Sequence, residues 1–184
     1  VELELLKDLN KAFRSFDIQT VVEEIFSSLK NNFLIDYGTL FLTGERGQNI
    51  ERVFRMGIPS DMHQAERFGM TKLDIEKLVK DMIPRFYNYT QETEKRAPVV
   101  DGKSISILAC YPLQLVYNYD ALFLLGVSDK NVEETYLNRN SFEFLCNFMT
   151  DISYAIKNAI IAKRLTELIT KDDLTMTYNR RFFE

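Results

Sequence analysis

An α+β domain with a central antiparallel sheet of five to six strands, flanked by helices that are long at both ends of the chain, is the fold this sequence predicts. Three observations predict it. Apolar residues recur every three to four positions near both ends, which is the helical period. Between those ends the period falls to two, and the period-two segments come in pairs joined by short polar turns, as hairpins do. With 184 residues, 46% of them hydrophobic, the chain can build one domain with a full core and is too short for two ordinary ones.

Each element follows in order. Over residues 1–16 the stripe Leu6, Leu9, Phe13 and Phe16, widened by Leu5 and Ala12, predicts an amphipathic helix. Asp17 stands where an N-cap would, ahead of a second helical run over residues 18–33 that carries Val21, Val22, Ile25, Phe26, Leu29 and Phe33. Residues 37–43 and 49–56 then alternate around a Gly44-Glu-Arg-Gly47 turn and predict a hairpin ending at Gly57-Ile-Pro59. Leu73, Ile75, Leu78, Val79 and Met82 suit a short helix that stops before Pro84, and residues 85–89 suit a strand. Residues 91–103 are polar and read as a loop. Residues 104–116 form a long strand, joined through Tyr117-Asn-Tyr-Asp120 to residues 121–127, and this pair should be the sheet centre.

From Asn140 onward Phe142, Leu145, Met149, Ile152, Ile156 and Ala159 keep helical spacing, which continues through Ile161, Leu165 and Leu168 to about Thr170. Such a helix would be roughly 45 Å long at ~1.5 Å per residue, more than one small domain needs for its own core. Its C-terminal half must therefore pack on something else.

The totals exclude several classes. A balance of 23 basic against 27 acidic residues gives a net charge of −4, so no field exists to hold a nucleic acid or an anionic membrane non-specifically. Cys110 and Cys146 are too few for a metal knuckle or a disulfide framework, and a reducing cytoplasm fits them. No apolar run approaches the length of a membrane-spanning helix, and no internal repeat is present. His63 is the only histidine, which excludes a multi-histidine metal site; the simplest reading makes it a surface residue of the variable segment.

The order helix, helix, hairpin, variable segment, long hairpin, long helix resembles that of GAF domains, a family of small-molecule sensors, over about residues 17–160. The segments that carry the resemblance are Asp36-Tyr-Gly-Thr-Leu-Phe-Leu42, Ser106-Ile-Leu-Ala-Cys-Tyr-Pro-Leu113 and Ala121-Leu-Phe-Leu-Leu-Gly-Val127. The related PAS fold is the alternative, and two helices ahead of the sheet favour GAF. Further on, Asp172-Asp-Leu-Thr-Met-Thr-Tyr-Asn-Arg-Arg181 resembles the opening of GGDEF domains, which condense two GTP molecules into cyclic di-GMP. Asp172, Leu174, Thr175, Asn179, Arg180 and Arg181 match that opening, whereas Met176 and Thr177 depart from its usual glycine and leucine. The resemblance implies four segments: a signalling or dimer helix over 1–16, a GAF sensor over 17–160, a helical stalk over 161–172, and the start of a GGDEF domain over 173–184. It also implies a hinge at Asp172, Leu174, Thr175, Asn179 and Arg180, with a magnesium- and GTP-dependent active site beyond Glu184. The present residues hold neither catalytic group nor metal site nor cofactor of their own.

Candidate ligand residues come from alternation. On the long strand, Ser104, Ser106, Leu108, Cys110, Pro112 and Gln114 form a mixed face, and Ile105, Ile107, Ala109, Tyr111, Leu113 and Leu115 a wholly apolar one. The apolar face should meet the helices of the core, and the mixed face should look into the cavity where GAF domains bind ligands. Ser106 and Cys110 are therefore pocket candidates, with plain burial the alternative for Cys110. Arg85, Tyr87 and Tyr89 share one face of their strand, and an arginine beside two aromatics can hold a planar anion by ion pairing and stacking, a cyclic nucleotide for instance. The Asn-Lys-Phe-Asp-Glu motif of cyclic-nucleotide-binding phosphodiesterase GAF domains is not recognisable, and Arg85 as a solvated edge residue is the alternative.

A GGDEF dimer must bring two loaded active sites together, so Leu6, Leu9, Phe13, Phe16, Ile152, Ile156, Leu165 and Leu168 are candidates for a parallel homodimer bundle. Two other readings stay open: a GAF module that dimerises without a ligand, and a sensor attached to a degenerate, non-catalytic GGDEF domain.

Overall fold

Asp17 starts the first described helix as an N-cap should. Its carboxylate accepts from the Thr20 backbone N–H at 2.9 Å and from the Thr20 hydroxyl at 2.8 Å, satisfying donors that helix geometry leaves open. The computed structural model describes residues 15–44, 49–63, 65–91 and 96–170. The helix expected over residues 1–16, with Leu6, Leu9 and Phe13, thus lies almost wholly outside the described residues. Phe16 is described: it is non-helical and 68% exposed.

Helix α1 (Ile18–Phe33) ends on Leu34, whose left-handed backbone (φ +53°) lets its N–H reach the Lys30 carbonyl. Strands β1 (Tyr37–Thr43) and β2 (Ile50–Met56) form the expected hairpin. A short 3₁₀ turn over Ala65–Arg67 precedes α2 (Lys72–Asp81). That helix opens with a capping box, in which the Thr71 hydroxyl accepts from the Asp74 N–H and the Asp74 carboxylate accepts from the Thr71 N–H. Strands β3 (Arg85–Asn88), β5 (Lys103–Gln114) and β6 (Asp120–Ser128) and helix α3 (Arg139–Thr170) fall where the pattern predicts. The loop reading of 91–103 needs one correction: Val99–Val100 form a short strand, β4, paired with the start of β5. Asp101 and Gly102 turn between them at φ +50° and +70°, the backbone of a two-residue hairpin for which Asp-Gly is a favoured pair.

The main path of the sheet runs β2-β1-β6-β5-β3, antiparallel throughout, with β4 attached to β5. The architecture is α+β, and β6 is the middle strand. A bulge at Ser106 shifts the β5 register, so that Ile105 pairs with Ser128 and Ile107 with Val127. Ile105 consequently turns away from the helices that Ile107 faces, which corrects its expected place on the apolar face.

The two faces of the sheet carry separate cores. Against α1 and α3 pack Ile107, Ala109, Tyr111, Leu113, Phe123 and Leu125, with Phe26 stacked on Phe123 and Phe142 on Tyr111. On the opposite face Tyr37, Phe41, Leu108, Leu122 and Leu124 meet Phe68 and the buried stripe of α2, Ile75, Leu78 and Val79. Leu73, read as part of that stripe, is exposed instead.

Helix α3 has 32 residues and so is about 48 Å long. Phe142, Leu145, Met149, Ile152, Ile156 and Ala159 are buried in the chain's own core, whereas residues 163–168 are exposed. Ile152 and Ile156 therefore cannot form a seam with a second copy, contrary to expectation. Leu165 and Leu168, at 53% and 56% exposure, can. The β5–β6 turn leans on this helix: Tyr117 and Asn118 both adopt positive φ, and the Arg164 guanidinium lies 4.3 Å from the Tyr117 ring centre. Asp172, Leu174, Thr175, Asn179 and Arg180 lie outside the described residues. Among the described residues no helix is long and apolar enough to cross a membrane.

Candidate functional site

Strand β3 is four residues long and sits at the edge of the sheet, and one of its faces borders a cleft. Alternation puts Arg85 and Tyr87 on that face, and Tyr89 follows just beyond the strand end. The tyrosine rings stack at 6.0 Å between centres and 18° between planes. Opposite them, α2 presents Asp74, Lys77, Leu78 and Asp81, which helical spacing aligns on one side; the 3₁₀ turn contributes Phe68, and the approach to β4 contributes Arg96. Together they enclose a cleft of about 460 Å³, within the size range of small-molecule sites.

The charges of the cleft are unevenly occupied. Asp74 accepts from the Thr71 hydroxyl and backbone N–H, which hold its carboxyl below the usual carboxylate range. Asp81 lies 4.0 Å from the Arg85 guanidinium. Three basic side chains, Lys77, Arg85 and Arg96, thus face two acids, one of them already bound to its own helix cap. The balance favours an anionic guest, and the stacked tyrosines offer its planar part a wall.

The five pocket residues predicted from sequence divide in two. Arg85, Tyr87 and Tyr89 come together at the cleft. Ser106 and Cys110 do not line it: both are buried, and the bulge engages Ser106, whose carbonyl accepts from the Tyr89 N–H at 2.8 Å. Cys110 pairs across the ladder with Arg85, and burial pushes its thiol well above the ordinary value against the pull of Arg85. Plain burial is its place. Cys146, half-buried on α3, also has a raised thiol, chiefly through burial. His63 is a surface residue, although its Nδ1 lies 3.3 Å from Arg55 Nη2. Lys77, Arg96 and Phe68 escaped the sequence reading. The i, i+3, i+4, i+7 placement of Asp74, Lys77, Leu78 and Asp81 could have revealed Lys77, while nothing periodic marks Phe68.

Among the described residues no cluster of three metal-ligating side chains occurs. No known family model and no curated protein matches the chain. Solved structures do match it, at the level of fold. The GAF domain of an Acinetobacter phosphoenolpyruvate-protein phosphotransferase superposes with a TM-score of 0.59 at 11% identity, covering 86% of this chain and 93% of that one. The GAF domain of the Coxiella burnetii phosphoenolpyruvate-protein phosphotransferase gives 0.52 at 9% identity, covering 88% and 98%. The Burkholderia cenocepacia transcription factor CepR2, described as N-acylhomoserine lactone dependent, gives 0.51 at 16% identity, covering 90% and 96%. The chain has a GAF-like fold: an antiparallel six-stranded sheet between helices, in the order that the sequence resemblance implied.

Proposed function

We propose that this chain is a GAF sensor which takes a planar, anionic small molecule into the β3–α2 cleft and passes the effect along α3 to a diguanylate cyclase domain. The observation that carries the reading is the convergence of Arg85, Tyr87 and Tyr89 with Lys77 and Arg96 around one cleft of ligand size. A cyclic nucleotide has the required parts, a flat base and a phosphate. The cleft borders α2, α2 packs over β5 and β6, and the β5–β6 turn touches α3 through Tyr117 and Arg164, so a shift of α2 has a continuous route to the stalk.

The output end of the proposal rests on the likeness of residues 172–181 to a GGDEF opening and on the exposed end of α3. On that helix Tyr154, Asn158, Ile161, Leu165 and Leu168 follow spacings of four and three along the side that the domain leaves uncovered. This line is our revised seam for a parallel homodimer, replacing Ile152 and Ile156. Such a dimer would set how two cyclase domains, each using magnesium and GTP, face one another.

A ligand-free dimerisation module is the second reading, and one observation favours it. The α2 side of the sheet is packed with Phe68, Ile75, Leu78 and Val79, so the open cleft is confined to the sheet's edge. Calorimetric titration with cyclic AMP and cyclic GMP separates the two. The sensor reading predicts heat of binding that Arg85→Gln removes; absence of heat and of thermal stabilisation with both nucleotides favours the module.

A further inference from the structure

Gly126 lies within the middle strand, and a Cβ built there would come 2.6 Å from Phe68 Cε1. The Phe68 ring therefore rests on bare backbone at the sheet's centre, in a space no side chain at 126 could share. Phe68 itself adopts a left-handed backbone (φ +46°), unfavourable for a bulky residue, and is followed by Gly69 at φ +75°. It is only 2% exposed, yet it also borders the cleft. A glycine that makes room and a turn that delivers a ring are thus fitted to each other.

The register shows what the ring covers. One row across this face runs Tyr37, Gly126, Leu108, Tyr87, so the seat of Phe68 and the cleft's tyrosine are two strand steps apart, or about 10 Å. The next row runs Arg55, Thr39, Leu124, Cys110, Arg85. It contains a buried Thr39 hydroxyl with no hydrogen-bond partner. The turn that carries Phe68 is fastened at its start: the Glu66 carboxylate, 4% exposed, is ion-paired with the Arg55 guanidinium of β2.

We propose that Phe68 is an internal occupant of an aromatic-binding site, and that the Arg55–Glu66 ion pair latches it there. The seat on Gly126 and the open cleft are two ends of one site. A ligand of the aromatic-anion class replaces the Phe68 ring against Gly126 and places its charged group at Arg85, two strand steps across and one row along, or about 12 Å away, where Lys77 and Arg96 reinforce it. This rests on the reading of the cleft as a ligand site and adds its regulation: the packed interior is one state of a switch, and affinity is lowered by the fraction of molecules whose ring is seated.

The test titrates the full chain with anilinonaphthalene sulfonate, an aromatic anion that fluoresces when bound. Phe68→Ala should bind one dye per chain roughly tenfold more tightly than the unsubstituted protein, and adding Arg85→Gln should abolish the gain. Glu66→Gln keeps the ring but releases the latch, and should tighten binding about threefold. Equal affinity in the protein with and without Phe68 overturns the proposal, as does a gain that ignores Arg85 or exceeds one dye per chain. If Phe68→Ala lacks a cooperative unfolding transition, Glu66→Gln decides: tightening supports the latch, and none overturns it. Cyclic nucleotide titrations run in parallel keep the two readings apart. Nucleotide binding that Phe68→Ala leaves unchanged sinks the occupant and spares the ligand site. Arg85-dependent dye binding without any nucleotide binding supports the occupant and discards the cyclic nucleotide.

Discussion

The two faces of the sheet are built by different means. The face under α1 and α3 is closed by helices of 16 and 32 residues and by stacked rings, and its side chains interdigitate from Val21 through Ala159. The face under α2 is closed by a ten-residue helix, a short 3₁₀ turn, one ion pair and a ring held on a left-handed backbone. Each holds a buried apolar cluster. They differ in how much must be undone to expose them, and that makes the first a scaffold and the second the side on which we propose that a ligand acts.

The largest effect that could break this comparison is truncation on the scaffold side. Phe123→Ala, beneath Phe26, should cost about 3–5 kcal/mol in urea unfolding. Phe68→Gly should cost markedly less, about 1–3 kcal/mol, because glycine also relieves the left-handed backbone strain that any side chain carries at this position. Equal costs would erase the distinction between the faces. Next in size, Thr71→Ala removes the cap of α2 and should cost about 1 kcal/mol, read by the same unfolding experiment.

The α2 cap also has a pH signature. Asp74 is held below the usual carboxylate range by Thr71, so its contribution is present above the unfolded value of 3.8 and is lost as pH falls through the lowered folded value. Below pH 3.8 acid should therefore weaken the α2 cap, as followed by amide exchange of residues 72–81. The smallest stability change is expected at Tyr111→Phe. Its buried hydroxyl has no partner, so removal should be neutral or stabilising by up to about 1 kcal/mol. On the exposed stalk, Leu165→Asp should turn the proposed dimer into a monomer in light scattering; a chain that is already monomeric without the substitution contradicts the seam.

Much of the fold was legible because its signals are local. The Asp17 cap, the period of α1 and α3 and the alternation of β1, β5 and β6 each depend on residues close in sequence. What escaped depends on partners far away. The Ser106 bulge that turns Ile105 round is a matter of register against β6, which alternation within one strand cannot reveal. The stripe of α3 marks Ile152 and Ile156 as apolar without saying whether sheet or second copy covers them; the sheet does. At the site, Arg85, Tyr87 and Tyr89 were legible as one face of one strand. Lys77, Arg96 and Phe68 reach the cleft from separate segments and were not. Asp101-Gly102 was a local hairpin signal that the surrounding polar run concealed.

Native-state hydrogen exchange tests the asymmetry of the faces most directly, because it reports the free energy of opening amide by amide. The account predicts that amides of residues 65–82 exchange through a partial opening well below the global unfolding free energy, while those of α1, β6 and the buried part of α3 exchange only with global unfolding. If residues 65–82 are protected as strongly as β6, the α2 side is as permanent as the scaffold, and the account is contradicted.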